Sequence, residues 1–454
     1  MTWLLAHLVV VVVSALTAVA AASLLRSDRR SPQATLAWLL AVVLVPYVGL
    51  PLYLMLGGRK ERRAAIPFRA LPEAETIPLA EASETDRLVR RYGLPGASVG
   101  NAVRILGTGE AAFAGLMEVA EGAERQLWAE LFILGDDAVG RAFVEVLTEK
   151  AAQGLDVRLL LDAVGSRPLK ARALAPFVEA GGHVARFEPV FHRPLKGRAN
   201  LRDHRKLIVA DGARAWAGGM NVAAEYLGPT PLPGRWRDLA FRLDGPAVAV
   251  YTALFRSDWA FASHAPLPPS PLPPAVGDAP VQVVPAGPDV PSDALYDLVL
   301  SLAFGARERL WLVTPYFVPD DALERAIAVA ARRGVDVRLV VPDPSNHPLA
   351  DLARGPALRA LDAAGVRVLR HTAGMVHAKT LVADGTALVG STNLDLRSLF
   401  LNAEVSAVFT GAAEVEAVAA WVDALGAASE AGTKPLRAGV AFAEGAARLV
   451  APLL

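Results

Sequence analysis

Apolar positions fall into two regimes along the chain. Near the start, Trp3 to Leu25 and Leu36 to Leu56 are almost unbroken apolar runs without a formally charged residue. Each matches the roughly 20 helical residues that cross a bilayer's hydrocarbon core, so the pattern predicts a two-helix transmembrane hairpin within residues 1–60. A cleaved signal peptide is the competing reading of the first run. The lack of Lys or Arg ahead of it, and its length, count against that. Pro46, Gly49 and Pro51 lie inside the second run, where neighbours can re-satisfy the backbone. Arg26, Arg29 and Arg30 in the connecting loop are outnumbered by Arg59, Lys60, Arg62 and Arg63 after the second run. That margin places the large domain on the cytoplasmic side.

Beyond a polar linker over residues 61–98, short apolar runs alternate with amphipathic segments such as Ala322 to Arg333, the pattern of sheets covered by helices. The order then repeats. Gly122-Ala123-Glu124-Arg125-Gln126-Leu127-Trp128 opens a predicted strand that runs to Asp136-Asp137. After a helix, Gly154-Leu155-Asp156-Val157-Arg158 leads into a second strand. Gly305-Ala306-Arg307-Glu308-Arg309-Leu310-Trp311, Asp320-Asp321 and Gly334-Val335-Asp336-Val337-Arg338 retrace these points at an offset of 180–184 residues. A repeat that long, carrying a whole β-α-β unit, predicts two homologous α/β lobes. Their expected limits are residues 99–264 and 281–454, the second ending in a helical tail. The Pro-rich stretch 265–280 between them can hold neither a helix nor a central strand.

Composition narrows the chemistry. With 454 residues, 53% of them apolar and 20% charged, the chain suits two domains and some membrane-embedded sequence. The absence of cysteine excludes thiol nucleophiles, disulfides and Cys-based metal centres. Equal numbers of basic and acidic residues, 46 each, leave no global field of the kind nucleic-acid binders carry, so attraction to an anion must be local.

Each predicted lobe holds the same polar pattern. The first copy is His204-Arg205-Lys206 followed by Leu207 to Ala210, Asp211 and then Gly218-Gly219-Met220-Asn221. The second is His377-Ala378-Lys379 followed by Thr380 to Ala383, Asp384 and then Gly390-Ser391-Thr392-Asn393. His and Lys two apart on a strand face one way, and Asp-Gly supplies a hairpin turn. Two His, two Lys and two Asn meeting across a lobe interface form a pocket for one phosphate, with Ser391 among the small residues that let backbone N–H groups approach it. One imidazole can attack phosphorus and the other protonate the leaving oxygen, without a metal or other cofactor. A metal site is the rival reading, but adjacent lysines repel a divalent cation. Asp211 and Asp384 face the turns and read as structural before catalytic. Asp238 and Glu404, just before apolar strands, are either imidazole-orienting carboxylates or surface ion-pair partners.

The duplicated His-x-Lys-x4-Asp pattern, with Gly-Gly-x-Asn and Gly-Ser-x-Asn after its two copies, resembles the phospholipase D superfamily. Thr35-Leu36-Ala37-Trp38, Arg202-Asp203-His204-Arg205-Lys206, Trp236-Arg237-Asp238, Thr314-Pro315-Tyr316-Phe317-Val318-Pro319-Asp320 and the last residues, Arg448 to Leu454, are similar to bacterial cardiolipin synthases. The resemblance implies a multi-pass enzyme of the bacterial inner membrane, integral to the bilayer. It implies transfer between two phosphatidylglycerol molecules through a phosphatidyl-histidine, with no nucleic-acid partner. It makes His204 the nucleophile, His377 the acid and then the base, and Asp238 and Glu404 their imidazole partners. A lipid hydrolase or another phosphatidyltransferase is the alternative. The chain departs from the family's Asn at Asp203, a carboxylate expected to raise the His204 pKa or to pair with Arg202 or Arg205.

Overall fold

The computed structural model of the chain describes residues 12–22, 32–56, 76–187, 201–290, 292–436 and 439–450. Among them, no helix is long and apolar enough to cross a membrane. This overturns the predicted transmembrane hairpin, and with it the integral-membrane and multi-pass expectations. The reason lies at Pro46. The second apolar run is two helices, Pro32–Leu44 and Pro46–Leu56, of 13 and 11 residues, broken at Val45. At about 1.5 Å per residue each reaches about 20 Å at most, well short of a bilayer core of about 30 Å. Proline has no N–H to continue the first helix and starts the second readily. The chain then folds back: Trp38 and Tyr53 meet edge to face with ring centroids 5.6 Å apart. Gly49 permits the turn, because a Cβ there would lie 2.0 Å from the Ala41 carbonyl oxygen. Val42, Leu50 and Ala20, the last from the helical segment 12–22, form a small buried cluster. The remainder of the Trp3 to Leu25 run lies outside the described residues.

The strands are β1 Ser98–Leu106, β2 Gln126–Leu131, β3 Asp156–Asp162, β4 His183–Phe187, β5 Lys206–Ala210, β6 Arg214–Gly218, β7 Ala240–Asp244, β8 Ala279–Ala286, β9 Arg309–Val313, β10 Asp336–Pro342, β11 Arg367–His371, β12 Thr380–Ala383, β13 Thr386–Gly390, β14 Glu404–Phe409 and β15 Glu430–Ala431. They form one sheet in the order β15-β11-β10-β9-β12-β13-β14-β8-β1-β7-β6-β5-β2-β3-β4. Outward from the β8–β1 junction, the two directions list equivalent strands: β7 matches β14, β6 matches β13, β5 matches β12 and β2 matches β9. The two lobes are therefore related about that junction, where Ser98 pairs with Val281 and Asn101 with Ala279. In each lobe three parallel strands (β2-β3-β4 and β9-β10-β11) adjoin an antiparallel set.

Alternation along the strands divides the core into three clusters. Leu207, Val209 and Trp128 of the first lobe share one cluster with Val382, Val389 and Trp311 of the second. Phe241 and Phe409 stack edge to face in this shared core, their centroids 5.3 Å apart. Ile208 and Ala210 point the other way, onto the helices Gly109–Glu121 and Ala138–Ala152. Leu381 and Ala383 likewise meet Ala294–Gly305 and Asp321–Arg332. The lobes are thus joined by apolar burial as well as by strand pairing, which gives side chains reaching across their junction a rigid frame.

Candidate active site

Both histidines sit just ahead of equivalent strands, β5 and β12, and each is pinned through its backbone by the other lobe. His204 N donates to the Ala403 carbonyl at 2.9 Å, and His377 N donates to the Arg237 carbonyl at 2.7 Å. The side chains repeat the exchange. His204 Nδ1 lies 2.9 and 3.0 Å from the two carboxylate oxygens of Glu404, and 3.1 Å from the Ser391 carbonyl. His377 Nδ1 lies 2.7 Å from Asp238 Oδ2. Both carboxylates are buried, at 0–1% exposure, so neither is a surface ion-pair partner. With Nδ1–H given to a carboxylate, the lone pair of each imidazole falls on Nε2, which in His377 has Lys379 Nζ 3.1 Å away.

Glycines make room for these carboxylates. A Cβ at Gly219 would fall 2.3 Å from Asp238 Oδ1, and one at Gly390 would fall 2.4 Å from the Val405 carbonyl and from Ser406 Oγ. Ser391 Oγ donates to Glu404 and accepts from Val405 N at 3.0 Å, tying the carboxylate to its loop. Asn221 Oδ1 accepts from Ile133 N at 3.2 Å, and Asn393 Nδ2 donates to Ser398 Oγ at 3.2 Å. In the free protein both asparagines therefore hold loops.

Lys206 and Lys379 are buried beside the imidazoles. Lys206 Nζ donates to the His204 carbonyl at 2.5 Å and lies over the Phe132 ring, while Lys379 Nζ stands 2.7 and 3.1 Å from the two ring nitrogens of His377. Burial pulls Lys206 down to about 8 and Lys379 down to about 7. Burial, then the lysine charges, also hold His204 well below its usual value and His377 down to about 3, so both rings are neutral in the free protein. Burial raises Glu404 to about 7.

Asp211 and Asp384 do not join this group. Each follows its strand, about 13–17 Å along the chain from the motif's lysine at a strand rise of about 3.3 Å per residue. Asp211, at φ +56°, accepts from the backbone N–H groups of Glu124, Arg125 and Gln126, and Asp384, at φ +47°, accepts from those of Arg307, Glu308 and Arg309. They clamp the entry to β2 and β9, the structural one of the two roles the sequence left to them.

Asp203 also differs from expectation. His204 is shifted down, not up, and Arg202 pairs with Asp162 at 3.5 Å. Asp203 Oδ1 accepts from Arg205 N at 3.1 Å, which fixes the backbone on both sides of His204. Its other partner is Glu130, fully buried on β2, within hydrogen-bonding reach of both Asp203 and Asp258. Neither Glu130 oxygen, nor Asp203 Oδ2, has a donor among the described residues. Burial, then the charge of Asp258, pushes Asp203 up to about 8, and Glu130 is raised well above its usual range. Two orphaned carboxyl groups in contact satisfy each other only when they share a proton. The nearby cation, Arg205, is engaged with Asp258, Asp289 and the carbonyls of Glu404 and Ala286. Sequence reading missed Glu130, Asp258 and Asp289. The available signal was a lone Glu inside the apolar run Leu127 to Leu131.

Aromatic rings wall the pocket: Phe132 lies edge-on to His204 at 4.8 Å, and Tyr226, Trp236 and Tyr316 surround His377 at 5.0, 5.6 and 6.5 Å. Among the described residues, no group of three or more His, Asp or Glu is placed to hold a metal ion. The arrangement offers two neutral imidazoles, each oriented by a buried carboxylate and flanked by an ammonium. Such a set suits nucleophilic attack and proton transfer at an anionic centre.

Comparison with known proteins follows the same lines. A family model described as "Cardiolipin synthase, PLD-like domain" matches residues 300–425, and one described as "Phospholipase_D-nuclease N-terminal" matches residues 15–58. Cardiolipin synthase A of Pseudomonas aeruginosa (strain LESB58) is 37% identical over 415 residues, covering 86% of this chain and 84% of that protein. A cardiolipin synthase of Halalkalibacterium halodurans is 32% identical over 402 residues, covering 84% of this chain and 80% of its own. The crystal structure of phosphatidylserine synthase from Haemophilus influenzae Rd KW20 shares the fold, with a TM-score of 0.65 at 15% identity over 82% of this chain and 100% of that one. Identity above 30% across most of both chains, on a duplicated motif whose halves complete each other, means that this chain belongs to the cardiolipin synthase family of phospholipase D-like phosphatidyltransferases.

Proposed function

We propose that the chain is a cardiolipin synthase, moving a phosphatidyl group from one phosphatidylglycerol to a second and releasing glycerol. The observation that carries the reading is the crossed pairing of His204 with Glu404 and His377 with Asp238, which leaves Nε2 of each ring on the side away from its carboxylate.

In the first half-reaction the neutral His204 Nε2 attacks the donor's phosphorus. Its electron pair forms the P–N bond, and the P–O bond to the headgroup glycerol breaks. Binding of the anionic phosphodiester favours the imidazolium of His377, which gives its proton to the leaving oxygen. Glu404, hydrogen-bonded to Nδ1, offsets the positive charge that develops on His204. Lys206 and Lys379 stabilise the non-bridging oxygens as point charges. In the second half, His377 takes a proton from the acceptor's headgroup hydroxyl. That oxygen attacks phosphorus, and the P–N bond breaks, returning its electrons to His204. Attack by water instead would give phosphatidic acid.

The test uses the purified chain in detergent–lipid micelles with phosphatidylglycerol as sole substrate, following lipids and released glycerol. Cardiolipin and glycerol in equal amounts are expected, whereas phosphatidic acid as the main product would exclude the transferase. His204→Ala is expected to abolish a trapped lipid adduct; an undiminished adduct would move the nucleophile to His377.

A further inference from the structure

A cavity of about 400 Å³ opens beside the His377 half of the site, and the chemistry above makes no use of it. Both lobes wall it: the segments around Gly109 and Leu232–Asp238 from the first, and His371, Ala373 and Gly374 from the second. One wall is Asp238, whose Oδ2 holds His377 Nδ1. An occupant is therefore one carboxylate away from the imidazole that activates the second alcohol. Ligand pockets run from about 300 to 1,000 Å³, so a cavity near the lower bound takes a small headgroup and not the acyl chains of a lipid.

Its charge is also specific. Glu110 is paired with Arg235, and Asp238 is committed to His377. That leaves Arg237. Its backbone is fixed on both sides, N to the Met375 carbonyl at 2.8 Å and its own carbonyl to His377 N at 2.7 Å. Its exposed guanidinium has no hydrogen-bonded carboxylate among the described residues. Burial, then the nearby charge of Arg237, lowers the imidazole pKa of His371 on the same cavity wall. Arg237 is thus the cation lining the cavity that has no carboxylate hydrogen-bonded to it among the described residues. At its edge Leu232, 50% exposed between Pro231 and Pro233, presents an apolar lip. A cationic wall with an apolar lip fits an amphiphile better than a free anion.

Resting on the transferase reading above, we infer that this cavity seats the headgroup of the second, acceptor phospholipid, with Arg237 binding its phosphodiester anion and Leu232 meeting its glyceride. The donor is then attacked from His204 while the acceptor's hydroxyl waits on the His377 side. A filled cavity is what favours lipid over water in the second half-reaction. Arg237 selects the product without taking part in bond breaking.

Two measurements on the full-length chain test this. With phosphatidylglycerol micelles, Arg237→Ala is expected to lower the ratio of cardiolipin to phosphatidic acid at least tenfold, and Arg237→Lys to recover part of it. An unchanged ratio, with both products falling together or neither falling, overturns the inference. The second measurement needs no turnover. In the His204→Ala background, calorimetric titration with glycerophosphoglycerol, the soluble headgroup, is expected to show two sites, reduced to one by adding Arg237→Ala. One site in both proteins overturns the inference. So does inorganic phosphate occupying the Arg237-dependent site as tightly as the headgroup. Absence of cardiolipin from the unaltered protein, with the two-to-one change intact, would instead fault the transferase reading.

Discussion

At the scale of single residues, function rests on which atom of each imidazole is engaged. Glu404→Gln and Asp238→Asn keep shape but offer Nδ1 an amide in place of a carboxylate. Each is expected to lower turnover by about 10³-fold or more with little change in melting temperature, as when a histidine loses the carboxylate that fixes its tautomer. Turnover beside thermal melting checks this. The lysines give a second prediction. With Lys379 at about 7 and Lys206 at about 8, part of the pocket is deprotonated at pH 8, and an arriving phosphodiester draws protons back. Binding to His204→Ala protein at pH 8 is expected to take up protons, seen as a dependence of the calorimetric heat on buffer ionisation enthalpy. Asp203 yields a third. Its folded-state pKa, about 8, exceeds the ordinary 3.8, so between those values the folded chain holds a proton that the unfolded chain has lost. Stability contributed there is complete below about pH 4 and is lost as pH rises toward 8. Asp203→Asn donates to Glu130 without needing that proton, so the variant should melt above the parent at pH 9 and close to it at pH 5. The HxK residues were legible in the sequence because their spacing recurs. The Glu130–Asp203 contact was not, since it joins residues 73 positions apart whose neighbours in sequence are apolar or basic.

At the scale of elements, short breaks decide more than long runs. The run Leu36 to Leu56 has the length of a membrane span by count, but Pro46 divides it into two helices that pack on each other. Counting apolar residues registers hydrophobicity and not direction, which is why the prediction failed there. The expectation of two lobes of sheet covered by helices fared better, because β5 and β12 carry alternating apolar residues that face two different cores. The aspartates that close the motif were legible as turn residues, and their left-handed backbone with three amide donors each gives the physical reason. Between β6 and β7, Gly219 is the element-level determinant of the site. Gly219→Ala sets a methyl 2.3 Å from Asp238 Oδ1, and the carboxylate must leave His377 to avoid it. Activity is expected to fall at least as far as in Asp238→Asn, with the fold retained. A fully active Gly219→Ala protein would show that Asp238 does not orient the ring.

For the whole molecule, one cation joins the lobes in addition to their shared core. Arg205, fully buried, reaches Asp258 in its own lobe and Asp289, Ala286 and Glu404 in the other. Arg205→Met leaves the buried Asp258 without this counterion and is expected to destabilise the chain by about 3–5 kcal/mol, read from denaturant unfolding. The duplication of lobes was legible in the sequence; how they interlock was not, because the contacts that join them link residues some 200 positions apart, as His204 and Glu404 show. That crossing has a further meaning. Each lobe owns a motif imidazole but not the carboxylate that sets its tautomer, so a single lobe is a key without its lock. Any drift between the halves disengages both rings at once, and the reactive state exists only while the two are in register. A disturbance far from the pocket that lets the lobes slip should therefore read out as complete silence and not as a slower enzyme.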